Sequence, residues 1–535
     1  MSLISYLFGR RGNGTDEPWT EASIFRLIAS KVDPHTERLP VDHLELPDEA
    51  SVRGDSAIGW AAGAMDGVAA FHVGKSDEKA TARRVALLVD EFARTGARNA
   101  LSALYGLLKD DAVVGFIDEV FRLIADTQTP IQPHLPGLAV KLATQSADRG
   151  PVKFGIALIG VLGLREHENV VLTLGKHDEF TLFASVALSN MLDDATPTLW
   201  RLARSVDGWG RIQTVERLVP TTNPEIQRWL RTEGFRNSVM YEYLAHAAAV
   251  HGRLRDALSA EFVEPAELLA AGEIIQALIT GNGAPAEGID AYDDAAETCR
   301  AYLAHARLQP RHLTHFLTAQ LLLGYLRGDE REQAERLKNG WSEAAQSSVQ
   351  NLASQLIGDP QWQAVALQQL RSKEAQAFYD ACRAAEFLGI DLFDEHWNRL
   401  VADPGDGGHW FNAMRTAGHA RIDRVIAFAE ATLPLRAIST GPEEQLGFGP
   451  EYKSHSCLDF VLQDLKSHPG KGWRLIETGL HSPVIRNRHM ALNALEAWAH
   501  DDRPPQWTEL LRGALAREPN TDVRQRMSAL LSSAH

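Results

Sequence analysis

Paired histidines are the clearest candidates for metal chemistry in this chain of 535 residues, which contains 20 histidines. His312 and His315 stand three positions apart, a spacing that puts two side chains on one face of a helix. No carboxylate or third imidazole follows at a spacing typical of zinc sites, and the His-Glu-x-x-His pattern does not occur. We therefore expect no tightly bound metal ion and no covalent cofactor.

Three short runs contain the residue types of acid–base or nucleophilic catalysis. A His-Asp-Glu run occupies 177–179 and an Asp-Glu-His run occupies 394–396, but acidic residues near helix starts commonly serve as caps and dipole partners. His455 stands two residues before Cys457, whereas catalytic Cys–His pairs generally meet through the fold. We therefore interpret all three runs as structural and expect Cys457 to pack at a helix start.

Charge separates the chain into an acidic majority and a basic end. The chain has 54 Lys and Arg against 70 Asp and Glu, a formal net charge of −16. This balance argues against non-specific nucleic-acid or acidic-membrane binding and suits a basic partner. Residues 471–535 instead have nine basic and seven acidic side chains. Arg486 and Arg488 there could present forked donors to phosphate or carboxylate, or could pair with acidic residues of the next repeat.

Composition is that of an ordinary soluble folded protein, with 44% apolar and 23% charged residues. The three cysteines form no Cys-x-x-Cys pair, which favours a reducing, cytoplasmic location. The apolar run near the start of the chain is too short for a secretory core. No apolar run approaches the ~20 residues that a membrane-spanning helix needs.

Apolar stripes of helical period cover most of the chain, and runs of alternating β-branched residues are absent, so we predict an all-α fold. Glycine and proline near 281–289 predict a linker. We divide the chain into an irregular lead-in with one helix (1–53), a first helical array (54–280), the linker (281–289), a second helical block (290–435), a long loop (436–457) and C-terminal helical repeats (458–535).

A proline or polar turn followed by a short alanine- and leucine-rich helix recurs along the sequence. In the unit at 519–531, Pro519 is followed by Val523 and Arg524, and then by Met527 and Leu530. This pattern resembles the HEAT repeats, which are related to armadillo repeats, and weaker copies lie at 151–188, 223–235, 359–370 and 482–495. The resemblance implies an α-solenoid of stacked helical hairpins. Such proteins mostly bind other proteins, and a minority bind nucleic acid or act as DNA glycosylases.

We therefore expect a non-enzymatic scaffold, or an inhibitor or immunity-type protein, that binds a partner protein with a basic surface. The alternative is a nucleic-acid-binding or DNA-glycosylase-like protein. Exposed aromatic residues in loops and arginines are frequent interface anchors. We predict partner contacts from five residues: Trp410, Phe448, Tyr452, Arg486 and Arg488. The sequence indicates neither the identity of the partner nor the oligomeric state.

Overall fold

The computed structural model describes residues 22–40, 44–53, 61–64, 66, 79–110, 113–126, 133–281 and 286–533. These residues form 29 α-helices and no β-strand, which confirms the predicted all-α class. None of the described helices is long and apolar enough to cross a membrane. Packing between helices divides the chain into two compact units that meet between Gly358 and Asp359.

The helices of the first unit are α1 (Ile24–Lys31), α2 (Glu49–Arg53), α3 (Lys79–Thr95), α4 (Arg98–Asp110), α5 (Val113–Asp126), α6 (Leu135–Gln145), α7 (Arg149–Val161), α8 (Glu168–Gly175), α9 (Asp178–Met191), α10 (Thr196–Ser205), α11 (Gly208–Leu218), α12 (Pro224–Trp229), α13 (Glu242–His251), α14 (Leu254–Leu258), α15 (Pro265–Thr280), α16 (Ala295–Ala306), α17 (Leu313–Tyr325), α18 (Glu330–Lys338) and α19 (Glu343–Ile357).

The helices of the second unit are α20 (Gln361–Gln369), α21 (Ala375–Leu388), α22 (Phe393–Ala402), α23 (Gly407–Thr432), α24 (Leu435–Ile438), α25 (Lys453–Leu465), α26 (Trp473–Leu480), α27 (Ile485–Ala497), α28 (Trp507–Leu515) and α29 (Thr521–Ser532). Short 3₁₀ turns occupy Arg165–His167, Ile289–Ala291, Pro450–Tyr452 and His500–Asp502, and a π turn occupies Leu230–Gly234.

Alternate helices pack against each other through most of the first unit, in the order α7, α9, α11, α13, α15, α17 and α19. Small residues permit the closest approaches. A Cβ on Gly155 would lie 2.5 Å from the backbone nitrogen of Ala143, and one on Gly160 would lie 2.5 Å from the Cα of Ala187. Both distances are shorter than a carbon contact allows, so glycine lets α7 pack tightly on α6 and α9.

The second unit has one continuous apolar core, to which α22, α23, α25, α27 and α29 each contribute fully buried side chains. The long helix α23 changes direction at Gly418, whose φ of 56° lies in the left-handed region that glycine adopts without steric cost. Polar caps begin several of the helices. Asn520, for example, accepts the backbone N–H groups of Asp522 and Val523 at the start of α29.

The structure adds detail to three of the predicted segments. The chain divides at 358/359, whereas α15 and α17, on either side of the predicted 281–289 linker, pack against each other. Residues 282–285 of that linker lie outside the described part. The predicted 436–457 loop is shorter, because α24 extends to Ile438 and α25 starts at Lys453. The lead-in contains a second short helix, α2, besides the predicted one.

Candidate functional site

Trp410, which we predicted to be exposed, is fully buried. Its indole Nε1 donates a hydrogen bond of 2.9 Å to the carbonyl of Pro404, and its ring stacks on Phe428 with the ring centres 5.5 Å apart. Asp406 caps α23 by accepting the N–H of Gly408 at 2.7 Å, so the glycine-rich stretch forms the turn before the helix. The expectation of exposure is therefore wrong, and Trp410 serves the core.

Arg488 is also buried completely, contrary to the predicted contact with a partner. Its Nε lies 2.8 Å from Oε2 of Glu518, which is equally inaccessible. Its two terminal nitrogens donate 2.7 Å hydrogen bonds to the carbonyls of Ser482 and Glu443. A buried guanidinium whose two terminal nitrogens are hydrogen-bonded in this way joins three segments of the chain and is not available to a partner.

The segment from 439 to 452, here called the 439–452 loop, is hydrogen-bonded to the turn before α27. Gly441 donates its N–H to His481, and Gln445 pairs with the 483–485 backbone through a parallel bridge with hydrogen bonds of 3.3 and 3.0 Å. The Tyr452 hydroxyl donates to Oε1 of Gln445 at 3.1 Å. Together with the Arg488 bond to Glu443, these contacts give the irregular loop a defined conformation.

The tip of this loop holds two apolar side chains in solvent. Leu446 is 61% exposed and Phe448 is 48% exposed. Gly447 between them has a φ of 79°, and a Cβ there would lie 2.6 Å from Cγ1 of Val484. Only glycine fits that position without strain. The predicted exposure of Phe448 agrees with the structure. Leu446 was not predicted, because only aromatic residues and arginines were considered as anchors.

Arg486, the remaining predicted contact, lies on the solvent side of α27 with half of its side chain exposed. Its Nε is 3.3 Å from Oδ2 of the buried Asp459, and its guanidinium stands 5.6 Å from the ring centre of Phe460. Burial raises the pKa of the Asp459 carboxyl to about 6, although Arg486 and a hydrogen bond from Asn487 oppose that rise. Arg486 therefore has one acidic neighbour and retains an accessible edge.

Most basic residues of the C-terminal segment already have partners within the unit. Seven of its nine lysines and arginines bond to acidic side chains, to histidine or to backbone carbonyls: Lys471, Arg486, Arg488, Arg503, Arg517, Arg524 and Arg526. Four of them, Lys471, Arg486, Arg488 and Arg526, pair with acidic side chains, which is the internal pairing that we gave as the alternative. The other three keep their charge but have part of their donors committed to the fold.

Three of the histidines with catalytic or metal-binding spacing make hydrogen bonds within the fold. His177 caps α9, because its Nδ1 accepts the N–H of Glu179 at 3.3 Å. His312 caps α17 in the same way through Thr314. His315 hydrogen-bonds the Tyr302 hydroxyl at 2.8 Å, and burial lowers its pKa to about 4. The thiol of Cys457 is buried near the start of α25 as predicted, and burial raises its pKa to about 11, so it is not an activated nucleophile.

Lys153 is the centre of a buried ionic network in the first unit. Its Nζ lies 2.6 Å from Oδ2 of Asp66 and 2.6 Å from Oε1 of Glu179, and all three side chains are at least nine-tenths buried. Arg149 extends the network through Glu179 and a hydrogen-bonded pair with Asp48. The two basic groups of α7 therefore tie an early segment of the chain to α9.

Among the described residues, one group of three side chains is close enough together to share a metal ion. Asp403, Asp406 and His409 can bring one ligand atom each to within 4.8 Å of one another. Both carboxylates already accept backbone N–H groups, Asp403 from Gly405 and Asp406 from Gly408. These hydrogen bonds account for the acidic pair as a turn and a helix cap.

A second surface feature was not singled out in the sequence. A cavity of about 750 Å³ in the first unit, here called the arginine–tryptophan cleft, is lined by four arginines and two tryptophans, which are Arg38, Arg201, Arg204, Arg211, Trp200 and Trp229. The available signal was the density of arginine after residue 200. From 201 to 236 the sequence has seven arginines and four acidic residues, in a chain that is acidic as a whole.

Comparison of the chain with protein-family models, with curated proteins and with solved structures found no match.

Proposed function

We propose that this is a non-enzymatic helical-repeat protein that binds another protein through the 439–452 loop. The observation that carries this proposal is the pair of exposed apolar side chains, Leu446 and Phe448, on a loop held by backbone hydrogen bonds. Apolar anchors presented on a rigid support are typical of interface hot spots, because little conformational entropy is lost when they bind.

Charge around these anchors indicates the chemistry of the partner. From 437 to 452 the sequence has three acidic residues, Glu443, Glu444 and Glu451, and no lysine or arginine. All three glutamates are exposed. A complementary surface has an apolar pocket with a basic rim. This agrees with the sequence-based expectation of a basic partner, such as an inhibitor or immunity-type protein would neutralise.

The packing of alternate helices supports a HEAT-like solenoid for the first unit. In a stack of helical hairpins each helix contacts its equivalent in the next hairpin, and the series from α7 to α19 has this pattern. The resemblance at 519–531 is consistent with it, since Val523 is buried and Arg524 donates to the carbonyl of Glu518. Stacked repeats of this kind form extended surfaces suited to partner proteins.

A nucleic-acid-binding or DNA-glycosylase-like function is the second candidate. The arginine–tryptophan cleft favours it, because basic side chains and aromatic rings together suit phosphates and bases. The C-terminal arginines, to which the sequence analysis assigned phosphate binding, do not, since most are paired within the unit. Protein binding is therefore the function that we place first.

The test compares proteins captured from the native host by the full-length chain and by two variants. Leu446→Ser with Phe448→Ser should lose a specific basic partner that the wild type captures. The control is Phe262→Ser, which removes a 65% exposed apolar side chain of the first unit. Both variants should keep the wild-type helical content in circular dichroism. The proposal is wrong if the loop variant captures every protein that the wild type captures. It is also wrong if the Phe262→Ser control loses the same partner to the same extent.

A further inference from the structure

The rim of the arginine–tryptophan cleft is built by a closed turn at residues 33–38. The Asp33 carboxylate accepts the N–H groups of His35 and Thr36 at 2.8 and 2.7 Å. Glu37 takes a φ of 58°, and its carboxylate forms a two-pronged ion pair with Arg201 of α10. A left-handed conformation is unfavourable for glutamate, so the surrounding contacts must impose it.

Arg38 fastens this turn to the carboxyl end of α10. Its Nε and Nη2 donate hydrogen bonds of 3.0 and 2.9 Å to the carbonyl of Arg204. On the opposite side, the buried Arg211 donates to the carbonyls of Val206 and Arg236 at 3.1 and 2.9 Å. These contacts hold two of the cleft's guanidinium groups in fixed positions, as a preorganised binding site requires.

Two donors of the cleft have no hydrogen-bond acceptor among the described residues. The exposed Arg204 makes no hydrogen bond or ion pair through its side chain there, and its guanidinium lies 5.4 Å from the ring centre of Trp200. The Nε1 of Trp200 is buried without an acceptor. That N–H is closed to solvent, so Arg204 is the donor of the pair that a ligand can reach.

The aromatic part of the cleft comes from Trp200 and Trp229, both half-buried. The Arg211 guanidinium lies 5.9 Å from the ring centre of Trp229, so each tryptophan has an arginine beside it. Indole rings stack on planar ligands, and neighbouring guanidinium groups bind the anionic part of the same ligand. The volume of about 750 Å³ lies within the range of small-molecule sites.

Electrostatics favour a small anion over a long one. The cleft has four arginines against two glutamates, Glu37 and Glu233, so its lining carries a formal charge of +2. Residues 1–358 together have 35 basic and 47 acidic side chains, a formal net charge of −12. A local positive cavity in an acidic unit attracts a compact anion, whereas an extended polyanion meets repulsion beyond the cleft.

We propose that the arginine–tryptophan cleft binds a small ligand that joins a phosphate group to a planar aromatic ring, the class of the nucleoside phosphates. Arg204 and Arg38 bind the phosphate, and Trp229 stacks on the ring. This site is separate from the 439–452 loop and does not depend on its function.

Calorimetric titration of the full-length protein tests the ligand class. AMP, ATP and UMP are the probes, and adenosine and inorganic phosphate represent the two halves of the ligand. At least one nucleotide should bind about tenfold more tightly than either half, which corresponds to about 1.4 kcal/mol. A single-stranded DNA oligonucleotide of twelve residues distinguishes a free nucleotide from nucleic acid and should bind more weakly than the best nucleotide.

Two variants locate the site. Arg204→Gln should weaken nucleotide binding about tenfold or more, since it removes the unpaired cation. Trp229→Leu removes the ring that stacks on the ligand, and should weaken binding several-fold. Arg228→Gln is the matched control, because Arg228 is a 64% exposed arginine on α12 outside the cleft lining. The control should bind like the wild type.

Three outcomes would overturn the proposal. The first is the absence of binding by all three nucleotides at millimolar concentration. The second is wild-type affinity in both Arg204→Gln and Trp229→Leu, which would place any binding elsewhere. The third is tighter binding of the oligonucleotide than of every free nucleotide, which would assign the cleft to nucleic acid. None of these results bears on partner capture by the 439–452 loop, so the two proposals can fail separately.

Discussion

Arg488 and Glu518 form an ion pair whose side chains have no exposed surface, with Nε and Oε2 2.8 Å apart. Arg488 also donates to the carbonyl of Glu443, and Glu518 accepts the N–H of Asn520 at the start of α29. One buried pair therefore links the 439–452 loop to α27 and to the last helix of the second unit. The exposed anchors of the loop depend on charges that no partner can reach.

Arg488→Met should destabilise the protein by about 3–5 kcal/mol, because it leaves the Glu518 carboxylate buried without its cation. Urea denaturation measures this loss, and hydrogen exchange should show faster exchange at Gly441 and Gln445. Arg526→Met removes the partly exposed pair with Glu496 and should cost no more than about 1 kcal/mol. Equal effects of the two substitutions would refute the assigned role of the buried pair.

Trp410→Ala should cost about 3–5 kcal/mol of unfolding free energy, because it opens a cavity in the core of the second unit and removes the bond to Pro404. Phe448→Ala should change stability by less than about 0.5 kcal/mol, since that ring is half exposed. Urea denaturation of both variants provides the comparison. A loss of less than about 1 kcal/mol in Trp410→Ala would contradict the burial of this side chain in the core.

The Asp178 carboxyl should make stability fall as pH rises from about 4 to about 8. Burial, together with the nearby Asp207, raises its folded-state pKa from 3.8 to about 8, against the opposing charge of Arg211. In that range the folded state binds more protons than the unfolded state, so deprotonation favours unfolding. Between about pH 4 and pH 8 this carboxyl should lower the free energy of unfolding by more than about 1 kcal/mol. The Asp178→Asn variant should lack that decrease.

Denaturation curves at several pH values measure that slope. Asp193→Asn is the control, because Arg165 lowers the pKa of the exposed Asp193 below its ordinary range. The pKa of Asp193 therefore lies below the ordinary aspartate range, and its loss should leave the slope between pH 5 and pH 8 unchanged. An unchanged slope in Asp178→Asn would show that this carboxyl is ionised in the folded protein.

A fragment of residues 359–535 should fold by itself, since it contains the complete core of the second unit. We expect native-like helical circular dichroism and a cooperative urea transition. A fragment of residues 1–289 should be unstable or aggregate, because it separates α15 from its packing partner α17. The reverse behaviour of the two fragments would place the boundary at the predicted 281–289 linker.

The sequence by itself determined the helical class, because apolar spacing of period 3.6 depends only on residues that are close in sequence. It also predicted that His177 and its acidic neighbours are structural and that Cys457 packs at a helix start, since capping depends on adjacent residues. Phe448 is exposed as predicted, because it lies in a stretch without helical periodicity, where aromatic side chains can stay in solvent.

Only the tertiary structure decided which polar and aromatic side chains face solvent. Trp410 and Arg488 have the composition of interface anchors, yet both are buried because distant segments cover them. The arginine–tryptophan cleft joins residues 33–38 to α10 and α11, more than 150 positions later in the chain, and no local pattern reports such a meeting. Helix formation depends on near neighbours, whereas burial and site assembly depend on contacts between residues far apart in sequence.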